Sequence, residues 1–479
     1  MADLMRCTVG QVAPIDLLPD DVLLSIFDSC VVVSGPPTKK WIEAWQSLVH
    51  VCRRWRSVVF GSPCRLNLRL VFTAKKLVRD MDVWPPLPLI IQDRANRLIE
   101  GVDNIIGALE RRDRVDRIEL FAVNSSPLGF FLAAMQEPFP ELTHLLLESY
   151  DETVSVLPDS FLGQSAPRLV YLTLLGIPFP GLPKLLLSPT HLVNLRLFNI
   201  PHSGYISPNA IVTTLSTLTG LQSLILEFQS PRSRPDPASR HPPPLTRSVL
   251  PVLIDVSFKG VCEYLDDLVA RVDAPQLNRL FITFFNDIVF DAPQFTQFIC
   301  RTPTLEAFEN AHVVFGDRMA RVSFFSQTSR DRSFKVRISC GALDWQASSL
   351  EQVCTLCLPT LSMLENLYVY SVPYSQPDWQ GNIESTEWLA LLHLFTTVKN
   401  LHISEEFSCI VSVLHELIGS RTTEVLPALQ NIFVEGLQPA GYIHWQEDIW
   451  RFVAARRLSG HTTTVSHWER DPWREGDLS

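Results

Sequence analysis

Residues 142–147 read LTHLLL, and three later stretches repeat the arrangement: 169–174 reads LVYLTL, 192–197 reads LVNLRL and 221–226 reads LQSLIL. Each stretch has apolar residues at its first, fourth and sixth positions. Apolar residues two positions apart point to the same side of a β-strand, so the pattern predicts strands with one buried face. Their recurrence indicates a protein built by stacking similar units.

The arrangement begins at Val115 and can be followed almost to the C-terminus. Its further instances are Val115-Ile118-Leu120, Leu253-Val256-Phe258, Leu277-Leu280-Ile282, Leu364-Leu367-Val369, Val398-Leu401-Ile403 and Leu429-Ile432-Val434. The first seven starts are 23 to 32 residues apart. The pattern L-x-x-L-x-L at this spacing resembles the leucine-rich repeat, whose period is about 20–29 residues.

The resemblance implies an α/β fold, namely an irregular leucine-rich-repeat solenoid with a curved parallel sheet and outer helices. Segments between the strands, such as FFLAAM at 130–135, have helical composition and would cover the opposite side. The pattern weakens between Leu277 and Leu364. There, Leu305-Phe308 and the alternating Phe334-Val336-Ile338-Cys340 are candidates for two further units.

One segment interrupts the repeats. Residues 230–248 read SPRSRPDPASRHPPPLTRS, with four arginines and six prolines, a composition that excludes a helix interior or a central strand. We expect a mobile insertion. Its arginines suit an acidic or phosphorylated target, although a tolerated surface loop is the favoured interpretation.

The region from Ile15 to Phe60 has a different pattern. Pro19 with Asp20 and Asp21 marks a helix start, and apolar residues recur after it at helical spacing. A second helical stretch with Trp45 and Trp55 follows a Gly-Pro-Pro linker at 35–37. Such short apolar stripes need a neighbouring domain or a partner to cover them.

LLPDDVLLSIF at 17–27, followed by VCRRWR at 51–56, resembles an F-box. The spacer between the two motifs is longer than usual and contains proline. Taken whole, the chain resembles the F-box proteins with degenerate leucine-rich repeats of mushroom-forming fungi. The boundaries follow: a flexible N-terminus at 1–14, an F-box at 15–62, a linking segment at 63–114, a repeat solenoid at 115–440 with the insertion at 230–248, and a C-terminal cap and tail at 441–479.

The resemblance implies a substrate-recognition subunit of a Skp/cullin/F-box ubiquitin ligase. A Skp-type adaptor, and through it cullin and RING subunits, would bind the F-box, and the repeats would bind a target protein. The adaptor-binding residues implied are Leu18, Pro19, Val22, Leu23, Ile26 and Trp55. The alternative is a leucine-rich-repeat interaction scaffold that acts outside a ubiquitin ligase. Arg53, Arg54 and Arg56 would form either a solvated helix face or a surface steered toward an acidic adaptor.

Composition supports an ordered protein that binds other proteins. The chain is 46% hydrophobic and 19% charged. Its net charge is −10, and because residues 1–80 hold 11 Lys/Arg against 7 Asp/Glu, the remainder holds 30 against 44. An acidic body argues against binding to nucleic acid. Sparse cysteines, with neither a leader nor a long apolar run, predict a protein of the cytoplasm or nucleus without disulfides or a membrane segment.

Motifs for catalysis, cofactors and metals were sought and not found. No phosphate-binding glycine loop or nucleophile elbow occurs, and Gly419 stands where a second histidine would follow His415-Glu416. Cys354 and Cys357 have the spacing of half a zinc site, but buried thiols are favoured. We therefore expect a non-catalytic protein without cofactor or metal, although a Ser-His-Asp set assembled only in three dimensions stays open.

Four tryptophans, Trp445, Trp450, Trp468 and Trp473, are concentrated near the C-terminus. Such enrichment is typical of a binding hot spot. The last apolar layer of a solenoid also requires a cap, and Ile449, Phe452 and Val453 have helical spacing. Capping is the favoured interpretation.

Overall fold

A computed structural model gives the architecture of the chain. Its described residues are 14–31, 45–76, 81, 83–93, 101–151, 156–236, 246–285, 290–306, 308–326, 329, 331–339, 343–372, 385–407, 409–416, 423–436 and 444–469. The chain divides into two compact units. The N-terminal unit comprises Met1–Thr153 and Ser160–Arg168, and the repeat unit comprises Val154–Asp159 and Leu169–Ser479.

In the described residues of the N-terminal unit, short helices are followed by alternating strands and helices. Its helices are α1 Asp20–Val31, α2 Trp45–Val49, α3 Arg53–Gly61, α4 Val102–Leu109 and α5 Ser125–Ala134. Its strands are β1 Leu70–Phe72, β2 Leu89–Asp93, β3 Val115–Leu120 and β4 His144–Glu148, all parallel in this order. Among its described residues, the predicted helical region at 15–62 thus contains α1, α2 and α3.

The three N-terminal helices pack through one face of α1. Leu23 and Phe27 lie one turn apart on this face and are fully buried. The Trp55 ring contacts Phe27, with ring centroids 4.7 Å apart. These contacts join α1 to α3 and leave the neighbouring face of α1 uncovered within the unit.

Trp45 on α2 connects the helices to the strands that follow. Its side chain is fully buried, and its indole Nε1 donates a hydrogen bond of 3.0 Å to the Arg69 carbonyl just before β1. The Trp84 ring lies 5.2 Å from it and the Phe60 ring 6.0 Å. The three helices therefore share a core with the segment after them.

That segment differs from the prediction. Residues 63–114, expected as a linker, contain β1, β2 and α4. Leu70 pairs with Leu89 and Ile91 with Ile118, so the parallel sheet begins at Leu70 and not at Val115. The sequence-based boundary was wrong because LVF at 70–72 and LIIQD at 89–93 lack the fully spaced L-x-x-L-x-L by which the other strands were found.

The repeat unit is an alternation of short strands and helices. Its strands are β5 Tyr171–Leu175, β6 Asn194–Ile200, β7 Ser223–Phe228, β8 Ser248–Val249, β9 Asp255–Gly260, β10 Val272–Asp273, β11 Arg279–Phe284, β12 Asn310–Gly316, β13 Met319–Phe325, β14 Ser333–Ile338, β15 Asn366–Ser371, β16 Asn400–Ile403, β17 Asn431–Glu435 and β18 Thr464–Trp468. Its helices are α6 Leu182–Leu185, α7 Pro208–Leu215, α8 Cys262–Val269, α9 Pro293–Cys300, α10 Leu343–Leu356, α11 Leu358–Leu361, α12 Ser385–His393, α13 Cys409–Glu416 and α14 His444–Leu458.

Within the repeat unit, the described strands form one long, mostly parallel sheet in the order β5-β6-β7-β9-β11-β14-β13-β12-β15-β16-β17-β18. The region where the repeat pattern weakens holds its only antiparallel part among the described residues. There β12, β13 and β14 form a meander, with β14 parallel to β11 and β12 parallel to β15. The prediction of a strand at Phe334-Val336-Ile338 is confirmed, and the meander explains the loss of period.

The apolar positions of the repeats form the core. They are buried to 3% exposure or less at Leu142, Leu145, Leu147, Leu169, Leu172, Leu174, Leu192, Leu195, Leu197, Leu221, Leu224 and Leu226. Successive helices pack against one another, α7 on α8, α8 on α9, α12 on α13 and α13 on α14. The repeat unit is thus a mixed α/β stack of a long parallel sheet and a row of helices, the arrangement that the pattern predicts.

An asparagine ladder crosses the start of five strands. Asn310, Asn366, Asn400 and Asn431 are paired in register with one another and with Thr464. Each side-chain amide bonds the next: Nδ2 of Asn366, Asn400 and Asn431 donate to the preceding Oδ1 over 3.0, 2.7 and 2.7 Å. The Thr464 hydroxyl closes the series on Asn431 at 2.6 Å.

The C-terminal end of the repeat unit is covered by α14. Ile449 and Phe452 are fully buried, as expected of a cap, and Val453 is half-buried. Arg456 is also fully buried, and its guanidinium donates to the Thr463 hydroxyl and to carbonyls that include Leu429. Strand β18 follows α14 and pairs with β17, so the sheet extends beyond the predicted limit at residue 440.

The insertion is anchored on both sides of its centre. Ser248 pairs with Val272 in the small β8–β10 ladder, and the Arg247 Nε donates to the Ala270 carbonyl at 3.2 Å. On the other side, Arg234 lies 3.6 Å from Glu263. The centre of the predicted mobile insertion, 237–245, lies outside the described residues.

Replacing Asn400 with leucine should destabilise the repeat unit. The change removes two side-chain hydrogen bonds and leaves the Asn366 Oδ1 and the Asn431 Nδ2 without their ladder partner. We expect a loss of about 1–3 kcal/mol in unfolding free energy, measured by urea denaturation. Asn194→Leu is the matched control, because Asn194 occupies the same strand position outside the ladder. Equal losses in both variants would contradict a role for the ladder.

Candidate protein-binding surfaces

The uncovered face of α1 is the first candidate surface. Val22 and Ile26 are four residues apart on one side of α1, and Pro19 lies just before the helix, three residues from Val22. All three are exposed, with Val22 at 38% and Ile26 at 37%. Leu17 just before α1 is 73% exposed, and Val51 before α3 is 58% exposed. Large apolar side chains are thus exposed on this small helical set.

The other adaptor-binding residues predicted from the sequence are placed differently. Leu18 and Trp55 are half-buried, and Trp55 packs on Phe27. Leu23 is 0% exposed and belongs to the core of the helical set, so a direct contact between its side chain and a partner is not available in this structure. It lies on the packed face because one residue along a helix turns the side chain by about 100°.

The arginines of α3 hold the helical set together. The Arg54 guanidinium pairs with Asp20 over 2.7 Å and donates to the Leu18 carbonyl over 2.5 Å. The Arg56 Nε donates to the Val49 carbonyl over 3.0 Å. Arg53 is exposed. Two of the three arginines therefore have structural contacts, and neither of the sequence-based alternatives described them.

The second candidate surface is a ring ladder on the repeat unit's sheet. His312, Tyr368, His402 and Phe433 are paired directly across β12, β15, β16 and β17. They alternate along their strands with buried residues, so they face away from the apolar core. All four are half-buried, which leaves part of each ring accessible.

The rings are in close contact. Tyr368 and His402 stack with centroids 4.2 Å apart, and His402 and Phe433 stack at 4.4 Å with their planes 7° apart. His312 lies 4.5 Å from Tyr368, and its Nδ1 shares a hydrogen bond of 2.8 Å with the Tyr370 hydroxyl. Such a rigid row of aromatic side chains is typical of protein-binding surfaces, because little conformational entropy is lost when it is covered.

The C-terminal tryptophans divide between roles. Trp468 joins the ring ladder, with centroids 5.3 Å from His402 and 6.0 Å from Tyr368. Trp450 on α14 is 55% exposed. The Trp445 side chain and Trp473 lie outside the described residues. Capping therefore rests on Ile449 and Phe452, while one tryptophan contributes to a candidate surface.

Burial changes the acid–base chemistry of the ladder. Desolvation lowers the pKa of His402 to about 4 and raises the pKa of Tyr368. The His402 Nδ1 has no hydrogen-bond partner among the described residues. His402 is therefore a neutral, stacked ring at neutral pH.

Sequence reasoning missed both ladders, although a signal was present. In three repeats the residue between the last two apolar positions is a ring: Tyr368, His402 and Phe433. In the same repeats an asparagine precedes the fourth position. The leucine-rich-repeat pattern is defined by its apolar positions, so it gives no prediction for the residues between them.

The residues weighed for metal or redox chemistry do not form a site in the described part of the chain. Cys354 and Cys357 are fully buried, and burial raises the pKa of both thiols, as expected for structural cysteines. The side chains of His415 and Glu416 lie outside the described residues. No group of three or more metal-ligating side chains occurs among the residues described. Within the same residues, no helix has the length and apolar character of a membrane span.

Comparison with known proteins gives one structural neighbour to report. No family model and no curated protein matches the chain. Among solved structures, the leucine-rich-repeat-containing protein LegL7 from Legionella pneumophila aligns with 12% identity and a TM-score of 0.28, covering 82% of this chain and 98% of that one. The repeat architecture therefore rests on the strand order, register and helix packing of this chain itself.

His402→Phe should make the protein less sensitive to acid. Because the folded-state pKa of His402, about 4, is below the ordinary 6.5, the unfolded chain takes up a proton between these values and the folded chain does not. The stability that the neutral ring contributes above pH 6.5 is thus lost as the pH falls toward 4. The unfolding free energy should fall by about 1–2 kcal/mol between roughly pH 7 and pH 5.

Phenylalanine keeps the stack and removes the titration. Urea denaturation at the two pH values should show a smaller loss for His402→Phe than for the natural protein. His461→Phe, at an exposed histidine, is the control and should leave the loss unchanged. An undiminished loss in His402→Phe would show that other groups cause the acid sensitivity.

Proposed function

We propose that this chain is the non-catalytic substrate receptor of a Skp/cullin/F-box ubiquitin ligase. Its N-terminal helices would bind a Skp-type adaptor, which joins cullin and RING subunits, and the sheet face of its repeat unit would bind a target protein. The work of such a receptor is done by two binding surfaces. Cofactor, metal and catalytic residue are not required.

One observation carries the adaptor half of the proposal. Val22 and Ile26 are exposed on α1 and Pro19 is exposed just before it, while Leu23 and Phe27, on the other face of α1, are buried. Exposed apolar side chains arranged in one stripe are unfavourable in water unless a partner covers them. The same residues belong to the motif that resembles an F-box.

The target half rests on the sheet face of the repeat unit. Parallel strands present their non-core side chains in rows, and the row through His402 is made of stacked rings. Aromatic residues are enriched among the side chains that dominate binding energy at protein interfaces. A repeat-based protein-interaction surface is the function best matched by this arrangement.

Such a receptor would contribute to ubiquitin transfer by positioning the target. Holding a target and a ubiquitin-loaded enzyme in one assembly raises the effective concentration of the target's lysine near the reactive thioester. The chemical step then belongs to the other subunits. The chain itself would then need surfaces for binding and no reactive group.

The second candidate is an interaction scaffold that acts without a ligase. The scaffold would use the same ring ladder. It requires a different partner for the exposed stripe on α1, one that does not belong to a ligase. The two candidates therefore differ in what covers Val22 and Ile26.

The double variant Val22→Asp/Ile26→Asp should lose the adaptor. Each aspartate would place a charge inside the proposed apolar interface, and we expect affinity to fall at least about 30-fold, as for loss of a hot spot. The measurement is co-purification of the full chain with a co-expressed Skp-type adaptor, followed by titration calorimetry. Circular dichroism checks that the double variant is folded.

Val83→Asp is the matched control, because Val83 is 76% exposed in the same unit but outside α1, α2 and α3. It should retain the adaptor. Deleting the helices is a poorer test, because buried Trp45 belongs to the core that they share with later residues. Equal recovery of the adaptor with Val22→Asp/Ile26→Asp and with the natural chain would reject the proposal.

A cellular measurement separates the ligase from the scaffold. Proteins labelled by proximity to the natural chain should include targets whose half-life lengthens when a proteasome inhibitor is added or when Val22→Asp/Ile26→Asp replaces the natural chain. Partners whose half-lives respond to neither change would favour the scaffold.

A further inference from the structure

The last strand of the repeat unit's sheet has an open edge. Strand β18 pairs with β17 and ends the strand order among the described residues. Its residues Thr464, Ser466 and His467 are exposed. Val465 continues the apolar row of its register partner Ile432, which is 1% exposed, but Val465 itself is only half-buried. The last apolar row is thus only partly covered.

The direction of the main-chain groups at this edge follows from the β17–β18 ladder. The Thr464 N–H donates to the Gln430 carbonyl over 2.8 Å, so Thr464 and, by alternation, Ser466 direct their main-chain groups toward β17. The N–H and C=O groups of Val465 and His467 therefore point away from β17. Among the described residues, these four groups have no hydrogen-bond partner. They are available to another strand.

Strand β18 lacks the features that keep sheet edges from pairing. Its sequence, TVSHW, contains neither proline nor lysine, and its register with β17 runs without a shift over all five residues. By contrast β1, the first strand of the N-terminal unit, is buried at all three of its residues. A regular, exposed edge is favourable for pairing with a strand of another chain.

An exposed apolar stripe lies on the neighbouring helix. Trp450, Ala454 and Leu458 of α14 are spaced by four residues and lie on one side of the helix, which we call the α14 stripe. Trp450 is 55% and Leu458 90% exposed, and Ala454 is exposed as well. The opposite side of α14 buries Ile449 and Phe452. The α14 stripe is therefore directed away from the core.

Hydrogen bonds tie the end of α14 to the start of β18. The buried Arg456 donates from Nε to the Thr463 hydroxyl over 3.1 Å, and the His461 N–H donates to the Arg456 carbonyl over 2.9 Å. Leu458 lies between these residues in the chain, so the α14 stripe and the open edge are neighbours. A partner that covers both must present a strand edge beside an apolar helix. The same end of a second copy of this chain presents both.

The sequence of β18 is complementary to itself. If two copies pair antiparallel about Ser466, Val465 of each lies opposite His467 of the other, and their outward main-chain groups form four hydrogen bonds. On the other face of the sheet, Thr464 of each copy lies opposite Trp468 of the other, a favourable pairing of a β-branched with an aromatic side chain. Because β18 contains no Asp, Glu, Lys or Arg, no like charges oppose each other within it.

We infer that two copies of this chain associate through β18, in a twofold dimer whose sheet continues from one copy into the other. The twofold axis would be perpendicular to the sheet, so both α14 helices would lie on the same side of it and their stripes would cover each other. Antiparallel α14 helices would also bring the acidic end at Glu447 toward the basic end at Arg457. The pairing uses each open edge once, so the assembly closes as a dimer.

A second copy fits the open edge better than a strand of the target protein. An added peptide strand could bond the four main-chain groups, but it would leave the α14 stripe in water. A second copy covers both features with residues that are already adjacent in this fold. The inference does not depend on the proposed function, because α1 has no part in it.

Ser466→Cys in the full chain tests the geometry of the dimer. The two copies of this position would form a non-hydrogen-bonded pair with Cα atoms about 4.5 Å apart, within reach of a disulfide. Thr464→Cys is the matched control, since it is exposed on the same strand but its two copies would be about 14 Å apart. We expect Ser466→Cys to form a covalent dimer at least about tenfold faster under mild oxidation. Mass spectrometry must place the link at position 466, because Cys30, Cys64 and Cys300 are also exposed.

Sedimentation velocity at rising concentration measures the reversible association. The natural chain should show a monomer–dimer equilibrium, and His467→Pro should weaken it at least about tenfold, because proline removes an outward N–H and leaves the bonds to β17 intact. Leu458→Asp should also weaken it, by placing a charge in the α14 stripe. Leu187→Asp, at a leucine of the repeat unit that is 61% exposed, should leave the association unchanged.

Several results would overturn the inference. They are a monomer at every concentration, growth beyond the dimer, and equal cross-linking of Ser466→Cys and Thr464→Cys. Unchanged association of His467→Pro would also overturn it. If His467→Pro lowers the Tm, Leu458→Asp decides, and unchanged association of that variant would then overturn the inference.

The dimer and the proposed function can fail separately. Val22→Asp/Ile26→Asp should form the dimer as the natural chain does, and His467→Pro should still co-purify with the Skp-type adaptor. Recovery of the adaptor by a chain that is always monomeric would reject the dimer alone. A dimer that never recovers the adaptor would reject the ligase role alone.

Discussion

In-register pairing between equivalent positions of successive repeats is the constraint on which the repeat unit depends. Leu172 pairs with Leu195, and Leu195 with Leu224, so that leucines form rows on one face of the sheet. A slip of one residue in any strand would expose its leucines to solvent. The free energy of about 1.5–3 kcal/mol gained by burying each side chain opposes such a slip. The helices can cover the leucine rows only because the rows are continuous from strand to strand.

The same register arranges the residues that do not belong to the core. Asparagine lies beside asparagine at the strand starts, and ring lies beside ring two positions later. Once the register of the leucine rows is fixed, the neighbours of these side chains across the sheet are fixed as well. A change in one repeat alters one place along the face without disturbing the core, and this makes such a face suited to specific recognition.

The two candidate surfaces arise from different physical causes. On α1, a short helix buries Leu23 and Phe27 and cannot also bury Val22 and Ile26, so an apolar stripe is left for a partner. On the repeat sheet, the face away from the core carries the half-buried rings of the ring ladder. Covering the first surface would remove apolar side chains from water, and covering the second would bury rings that are already held rigidly by stacking.

The sequence by itself determined the strand positions of most repeats, because the last two apolar residues of each unit are two positions apart, share one face of a strand, and recur at a repeat period. It also located the N-terminal helices and the buried cysteines. Only the tertiary structure revealed strands β1 and β2 and the antiparallel meander. It also decided that Val22 is exposed and Leu23 buried. Each depends on which neighbour covers a segment, and the ladders likewise exist only because residues about 30 to 60 positions apart are paired across the sheet.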